Sequence, residues 1–332
     1  IENDFEFTGG DGGVTLDLGN QDSNNSIDIE VTTGDGDDEL TLRNIEDTTS
    51  GGTTGNEATL TAVTGDGNDT LTVGDITVDG SDHTIALGDG SNTLDFDAGG
   101  NAVDLSAIAI SGVDTIRVDN NGDDLTLDGA PFDGQTVEIN NFGDTQVTFA
   151  LDGNDDLNAS NFTTNGVDGV TITAGNQSND ITGTDGADNF VFGSAASTEG
   201  SLDTITGFEA TAGPGNDTLD LNSIATVTTE ASMVDVSGAD ADGTATTINA
   251  AQTSGIITLS GGDAGAIDTL AEFVDAAETF LTNTPTTADV GAFEFDGNTF
   301  VVATDGSDNT DNIVELTGLT GVTALDGTTP AA

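Results

Sequence analysis

A nine-residue pattern of spaced glycines, then an acid, then a large apolar residue recurs along this 332-residue chain and restricts what it can fold into. It reads Thr33-Gly34-Asp35-Gly36-Asp37-Asp38-Glu39-Leu40-Thr41, and again Thr64-Gly65-Asp66-Gly67-Asn68-Asp69-Thr70-Leu71-Thr72. It returns as Gly183-Thr184-Asp185-Gly186-Ala187-Asp188-Asn189-Phe190-Val191 and as Ala212-Gly213-Pro214-Gly215-Asn216-Asp217-Thr218-Leu219-Asp220. A fifth copy, Gly88-Asp89-Gly90-Ser91-Asn92-Thr93-Leu94, carries Asn92 where the acid belongs. Glycines reach backbone angles closed to other residues, so each copy can turn tightly and aim its carbonyls inward. The large residue two places after the acid opens a strand and enters a core.

Between these turns lie short segments that alternate apolar residues with Thr and Asp. Examples are Val14–Leu18, Ser26–Val31, Leu40–Leu42, Ala58–Val63, Leu71–Val73, Thr84–Leu87, Thr93–Phe96, Asp114–Val118, Leu125–Leu127, Thr136–Ile139 and Gly169–Thr173. Period-two alternation marks half-buried strands, and Gly, Asn and Asp clusters punctuate them. Similar strands return at roughly 20–35-residue intervals, a spacing of solenoid repeats. The pattern predicts an all-β chain, a parallel β-helix or β-solenoid, with a smaller C-terminal β-rich segment holding one helix. An antiparallel sandwich is the alternative arrangement for so many short strands. Residues 1–169 read as an irregular solenoid with scattered turns, 170–222 as a compact roll-like region, and 223–332 as a C-terminal domain. In the last, a helix is expected near 268–283, capped by Asp268 and followed by Pro285. A hairpin is expected from 292–295 to 299–302 through Asp296-Gly297-Asn298.

The turns offer oxygen ligands only, which suits a hard divalent cation, Ca²⁺ above all. The candidate metal residues are Gly34, Asp35, Gly36 and Asp38; Gly65, Asp66, Gly67 and Asp69; Gly183, Asp185, Gly186 and Asp188; and Gly213, Gly215 and Asp217. At the third position (Asp35, Asp66, Asp185) the backbone carbonyl is the expected ligand. Asp89 and Asp180 join from partial copies. Asp123-Asp124-Leu125, Asp155-Asp156-Leu157 and Asn179-Asp180-Ile181 keep only the end of the pattern and read equally well as ordinary polar turns.

Composition narrows the partners. There are 61 acids and two strong bases, a formal charge of −59. Nothing could neutralise phosphates, which excludes nucleic acid and anionic membrane surfaces. A compact chain of this charge repels itself, so it needs bound cations, a salt-rich medium or both. With 34% apolar residues in alternating runs, disorder does not fit. Cysteine is absent, which removes disulfides, thiolate metal sites and thiol nucleophiles. No run reaches the ~18 apolar residues of a membrane span. The opening residues show no signal-peptide pattern, and a chain starting on Ile1 reads as processed or as a piece of a longer product.

Enzyme chemistry finds little footing. His83 is the single histidine and is expected at the surface beside Asp82. No G-x-S-x-G elbow or H-E-x-x-H pair occurs. Arg43 and Arg117 lie in separate repeats, and carboxylates are too abundant to be diagnostic. The chain reads as non-enzymatic.

The nonapeptide resembles the RTX calcium-binding repeat G-G-x-G-x-D-x-U-x of parallel β-rolls, although no copy is perfect and the copies are not in tandem. The run 183–192, then Leu202-Asp203-Thr204-Ile205-Thr206-Gly207-Phe208-Glu209, then Gly215–Leu221 is similar to the terminal region of RTX proteins exported by type I secretion. The segments 293–302 and 314–318 resemble the C-terminal end of such proteins, a layout shared by S-layer proteins of the Caulobacter type. The resemblance implies multiple Ca²⁺ ions, with Asp203, the acid before Thr204-Ile205, as a further ligand, export directed by 170–332 and above all by the part after Asp268, and a secreted, cell-surface location. It also implies a structural role: self-assembly into an S-layer or related sheath or filament. The alternative is an adhesin or carrier segment of a larger secreted RTX protein, with a cell-surface glycan as partner.

Overall fold

The apolar alternation is realised as parallel strands stacked rung upon rung. The computed structural model describes residues 5–18, 21–23, 28–43, 45–47, 59–74, 76–77, 83–97, 99, 102–118, 124–141, 146–166, 169–193, 197–198, 200–210, 216–221, 234–236, 239–241, 243, 247–283, 289–304, 312–326 and 329–331. The protein is mostly β, with parallel sheets forming a solenoid of about six turns. It divides into two compact units, Ile1–Ala150 with Asn158–Thr171, and Leu151–Leu157 with Ile172–Ala332.

In the first unit one sheet stacks Phe5–Thr8, Ile29–Thr32, Leu60–Val63, His83–Ala86 and Ile108–Ser111, all parallel. A second stacks Thr15–Leu18, Glu39–Leu42, Thr70–Val73, Thr93–Phe96, Thr115–Val118, Glu138–Asn141 and Thr163–Asn165. Shorter parallel runs complete the coil: Gln21–Ser23 with Ile45–Asp47 and Ile76–Thr77, and Ala102–Leu105 with Asp124–Asp128 and Gln146–Leu151. The pairing is parallel, rung to rung, so the sandwich arrangement does not occur in this unit.

Register explains the core. Leu16, Leu40, Leu71, Leu94, Ile116 and Ile139 form one column, and Leu18, Leu42, Val73, Phe96 and Val118 the next. Leu40, Leu71, Leu94 and Phe96 are fully buried. Each such side chain contributes about 1.5–3 kcal/mol by leaving water. Phe149 meets Phe132 at 5.4 Å and Phe162 at 5.5 Å between ring centres, an aromatic cluster in the later rungs. His83 follows the same parity. It lies inward like Ile85, is buried rather than at the surface, and its Nδ1 accepts the Leu60 N–H at 3.0 Å.

The second unit begins in the same way and then changes. Asp180–Thr182, Asp203–Thr206 and Asn312–Thr317 are parallel neighbours. From Asn312–Thr317 the sheet continues antiparallel through Asn298–Thr304 to Asp289–Phe295. The last two strands form a hairpin that turns at Asp296 and Gly297, both with positive φ (47° and 83°). Ile256–Ser260, Asn249–Thr253 and Val234–Asp235 extend the sheet. The helix Leu270–Asn283 lays Val274, Ala277, Phe280 and Leu281 against Phe293, Phe300 and Val302.

Thr269, not Asp268, caps that helix. The Glu272 N–H donates to Thr269 Oγ1 at 3.3 Å, and Glu272 Oε2 accepts the N–H groups of Asp268 and Thr269 at 3.0 and 3.1 Å. This is a capping box, with the reciprocal acid three residues past the hydroxyl. The Asp268 and Ala241 N–H groups and the Thr269 hydroxyl hold the Glu272 carboxyl down at about 2, against an ordinary 4.5. A carboxyl lowered in the folded state stabilises it above pH 4.5 and loses that contribution as pH falls through about 2. Glu272→Gln is therefore expected to lower the melting temperature at neutral pH and to approach wild type near pH 2. Thermal melts of both proteins across this range check it, and an equal deficit at every pH would contradict it.

Candidate metal-binding turns

The glycines are spaced so that rungs can touch. A Cβ on Gly34 would lie 2.7 Å from the Gly10 carbonyl oxygen, and one on Gly65 would lie 2.6 Å from that of Gly34. On Gly67 or Gly90 it would overlap the carbonyl oxygen of Gly36 or Gly67. Gly88 and Gly90 also need positive φ, 64° and 147°. Carbonyl groups of one turn thus pack directly on the backbone of the next.

The sixth residue of the first, second and fifth copies points inward and ties one rung to another. Asp38 Oδ1 accepts the Val14 N–H at 2.7 Å, and Asp69 Oδ1 accepts the Asp38 N–H at 2.9 Å. Asn92 Oδ1 accepts the Asp69 N–H at 2.9 Å, and Asp114 Oδ2 accepts the Asn92 N–H at 2.9 Å. Asp38, Asp69 and Asn92 are buried. The third-position side chains of Asp35, Asp66, Asp89 and Asp185 are exposed. The carbonyl groups of Asp66 and Asp89 accept the N–H groups of Gly36 and Gly67, both at 2.8 Å, and so link rungs through one of their two lone pairs.

The second oxygen of two of these acids is left over. Asp38 Oδ2 and Asp69 Oδ2 are buried without a hydrogen-bond partner, as are the hydroxyls of Thr33 and Thr64 at the first position of the same copies. The fifth copy shows what this position faces. Asn92 Nδ2, which replaces the second carboxylate oxygen, donates to the carbonyls of Leu87 at 2.7 Å, Gly112 at 3.0 Å and Gly88 at 3.2 Å. An amide satisfies such acceptors, whereas a carboxylate oxygen set among carbonyls needs a positive charge. If the aspartate turns face carbonyls as the Asn92 turn does, their unpartnered oxygens fit a hard, oxygen-liganded cation, which one carboxylate and backbone carbonyls per turn would hold. Among the described residues no group of three or more His, Cys, Asp or Glu side chains gathers, so a site made of side chains alone is not present there.

The second unit repeats the ladder with different partners. Asn179 Oδ1 accepts the Asp155 N–H at 3.1 Å, and Asp203 Oδ1 accepts both the N–H of Asn179 at 2.7 Å and its Nδ2 at 3.0 Å. Asp203 Oδ2 is buried and unpartnered. Asp180 lies exposed, with its carboxylate accepting the Thr204 hydroxyl at 2.6 Å. It sits one place before the apolar Ile181, and strand parity turns it outward, so Asn179 holds the inward position.

Asp188 and Asp217 differ from Asp38 and Asp69. Asp188 accepts the N–H and hydroxyl of Thr184 at 2.6 and 2.9 Å, and Asp217 accepts the N–H groups of Asp188 at 2.9 Å and Glu209 at 2.8 Å. Their oxygens are held by donors of the chain itself. Gly183 packs against the Asp188 carboxylate, and the Gly186 N–H reaches Thr184 Oγ1 at 3.0 Å. Gly213 and Gly215 lie outside the described residues.

Sequence reading missed Asp114, Asn179, Thr33 and Thr64. The signal for Asp114 was its place two residues before Ile116, the acid-to-apolar spacing of the full copies. The glycine spacing that normally accompanies it is shortened there to Gly112-Val113.

Burial pushes the Asp203 and Asp217 carboxyls up, each to about 6 from an ordinary 3.8. A carboxyl raised in the folded state stabilises it fully below pH 3.8, and this contribution is lost as pH rises through about 6. With divalent cations removed, the wild type is expected to melt several degrees lower near pH 7 than near pH 4. Asp203→Asn should recover part of that loss. Parallel pH-dependent melts of the two proteins test this, and an identical pH profile for both would refute it.

Comparisons of the chain with protein-family models, with curated proteins and with solved structures find no match. Its likeness to RTX proteins rests on the motif residues quoted above.

Proposed function

We propose that this chain is a secreted, calcium-dependent structural protein that associates with itself into an S-layer or a related surface sheath or filament. The observation that carries the calcium reading is the contrast between Asp69 and Asn92. In one turn a buried carboxylate oxygen has no partner, and in the next an amide nitrogen in the corresponding place meets three carbonyl groups. Calcium in the aspartate turns would supply the missing positive charge and join consecutive rungs.

Charge supports the assembly reading. With a formal −59, two copies cannot approach closely unless cations lie between them. Calcium outside a cell would then promote folding and association together. Low calcium inside would leave the acid turns unneutralised and the chain competent for export through its C-terminal region. No described helix is long and apolar enough to cross a membrane.

A calcium titration of the purified protein is expected to increase light scattering and to produce sheets or filaments visible by electron microscopy. Chelator should reverse both and reduce the β-type circular dichroism at low salt. Unchanged dichroism and melting temperature after exhaustive chelation would overturn the calcium reading. A calcium-loaded, folded monomer at high concentration would overturn self-assembly and leave the adhesin or carrier reading ahead.

A further inference from the structure

We propose that Asn92 makes its turn independent of cations, its side-chain amide standing where the neighbouring turns hold an ion. The inward ladder of the first unit is then divided into cation-dependent turns at Asp38 and Asp69 and a self-sufficient turn at Asn92. This rests on the calcium reading of the aspartate turns given above.

The geometry is specific. Asn92 is completely buried, and its side chain meets four backbone groups, one N–H at Oδ1 and three carbonyls that share the two hydrogens of Nδ2. Oδ1 takes the Asp69 N–H at 2.9 Å, and Nδ2 gives to Leu87, Gly88 and Gly112 at 2.7, 3.2 and 3.0 Å. Two of these acceptors lie in its own turn and one in the next, so the amide joins two rungs through carbonyl oxygens. Bridging rungs in this way is what an oxygen-liganded ion would do. The first position changes together with the sixth. Thr33 and Thr64 bring unpartnered buried hydroxyls to the aspartate turns, whereas Leu87 brings none to the asparagine turn. An uncharged group and an apolar neighbour are a self-consistent pair, because neither leaves a buried charge to be neutralised.

The second unit carries an independent instance. Asn179 holds the inward position there, and its Nδ2 donates to the Gln177 carbonyl at 2.8 Å as well as to Asp203 Oδ1. Each unit therefore combines an amide turn with an acid turn that has a buried, unpartnered oxygen. In a calcium-poor medium the amide turns bury no unneutralised charge, whereas the acid turns at Asp38, Asp69 and Asp203 each keep a buried oxygen without a partner. The strands beside Asn92, Thr93–Phe96 and Thr115–Val118, are thus a cation-free base on which the earlier rungs order when calcium arrives.

Two substitutions in the whole chain test this, Asn92→Asp and Asp69→Asn, read by calcium stoichiometry in equilibrium dialysis and by melting temperature with chelator and with calcium. Asn92→Asp is expected to bind one more ion than wild type, to melt lower in chelator, and to recover in calcium. Asp69→Asn is expected to bind one ion fewer and to melt higher in chelator than wild type. If Asn92→Asp does not fold in either condition, Asp69→Asn decides alone. A wild type that binds calcium, beside an Asn92→Asp that gains no ion or an Asp69→Asn that gains no stability in chelator, overturns this inference and leaves the calcium reading standing. A wild type that binds no calcium overturns both.

Discussion

In a parallel coil every residue stacks on its counterpart from the turn before, so whatever charge one rung places at a position the next rung meets at ladder distance. Like charges stacked in this way repel, which makes a chain with 61 acids a demanding one to coil. On the outer face of the second sheet threonine separates the acids. Glu39 lies between Thr15 and Thr70, and Glu138 between Thr115 and Thr163. Asp95 instead meets Arg117 at 3.6 Å, the one cross-rung ion pair among the described residues. Glu6 on Glu30 is an unrelieved pair on the first sheet, and it lies on the exposed face where water screens it.

Inside the turns that solution is unavailable, because the same stacking places Asp38 directly over Asp69. Their first oxygens are satisfied by backbone N–H groups of neighbouring rungs, which fixes the side chains and also fixes where the second oxygens lie. The acid ladder thus gives the coil its register and at the same time creates its largest electrostatic cost. Asn92, Asn179 and the Thr184 contacts of Asp188 are three ways of meeting that cost within the chain. Asp38, Asp69 and Asp203 are the turns where the chain alone does not meet it.

Much of the coil was legible in the sequence because period-two alternation and glycine-bounded turns are local properties. Leu71 and Leu94 could be assigned to a core without knowing what they stack on. What was not legible depended on rung-to-rung registration. Asp180 and Asn179 are adjacent, and only the pairing of Asp180–Thr182 shows which one faces inward. His83 looked like a surface residue because its neighbours are polar, yet strand parity buries it. Asp114 escaped notice because its turn has lost residues, and Asn92 looked like a defective copy until its three carbonyl partners were seen. At the helix start, Asp268 and Thr269 are both good capping residues, and the position of Glu272 three residues past Thr269 decides between them.

The rungs are not equal in length, and this has a use. The Asp69 N–H reaches Asn92 across 23 residues, while the Asp38 N–H reaches Asp69 across 31, yet both bonds measure 2.9 Å. The difference in rung length leaves the described strand pairings in register. Rung length is free in a way that the glycine turn is not, where even one added methyl would strike a carbonyl. A coil whose rungs differ in length at constant register can gain chain between strands while its interior stays the same.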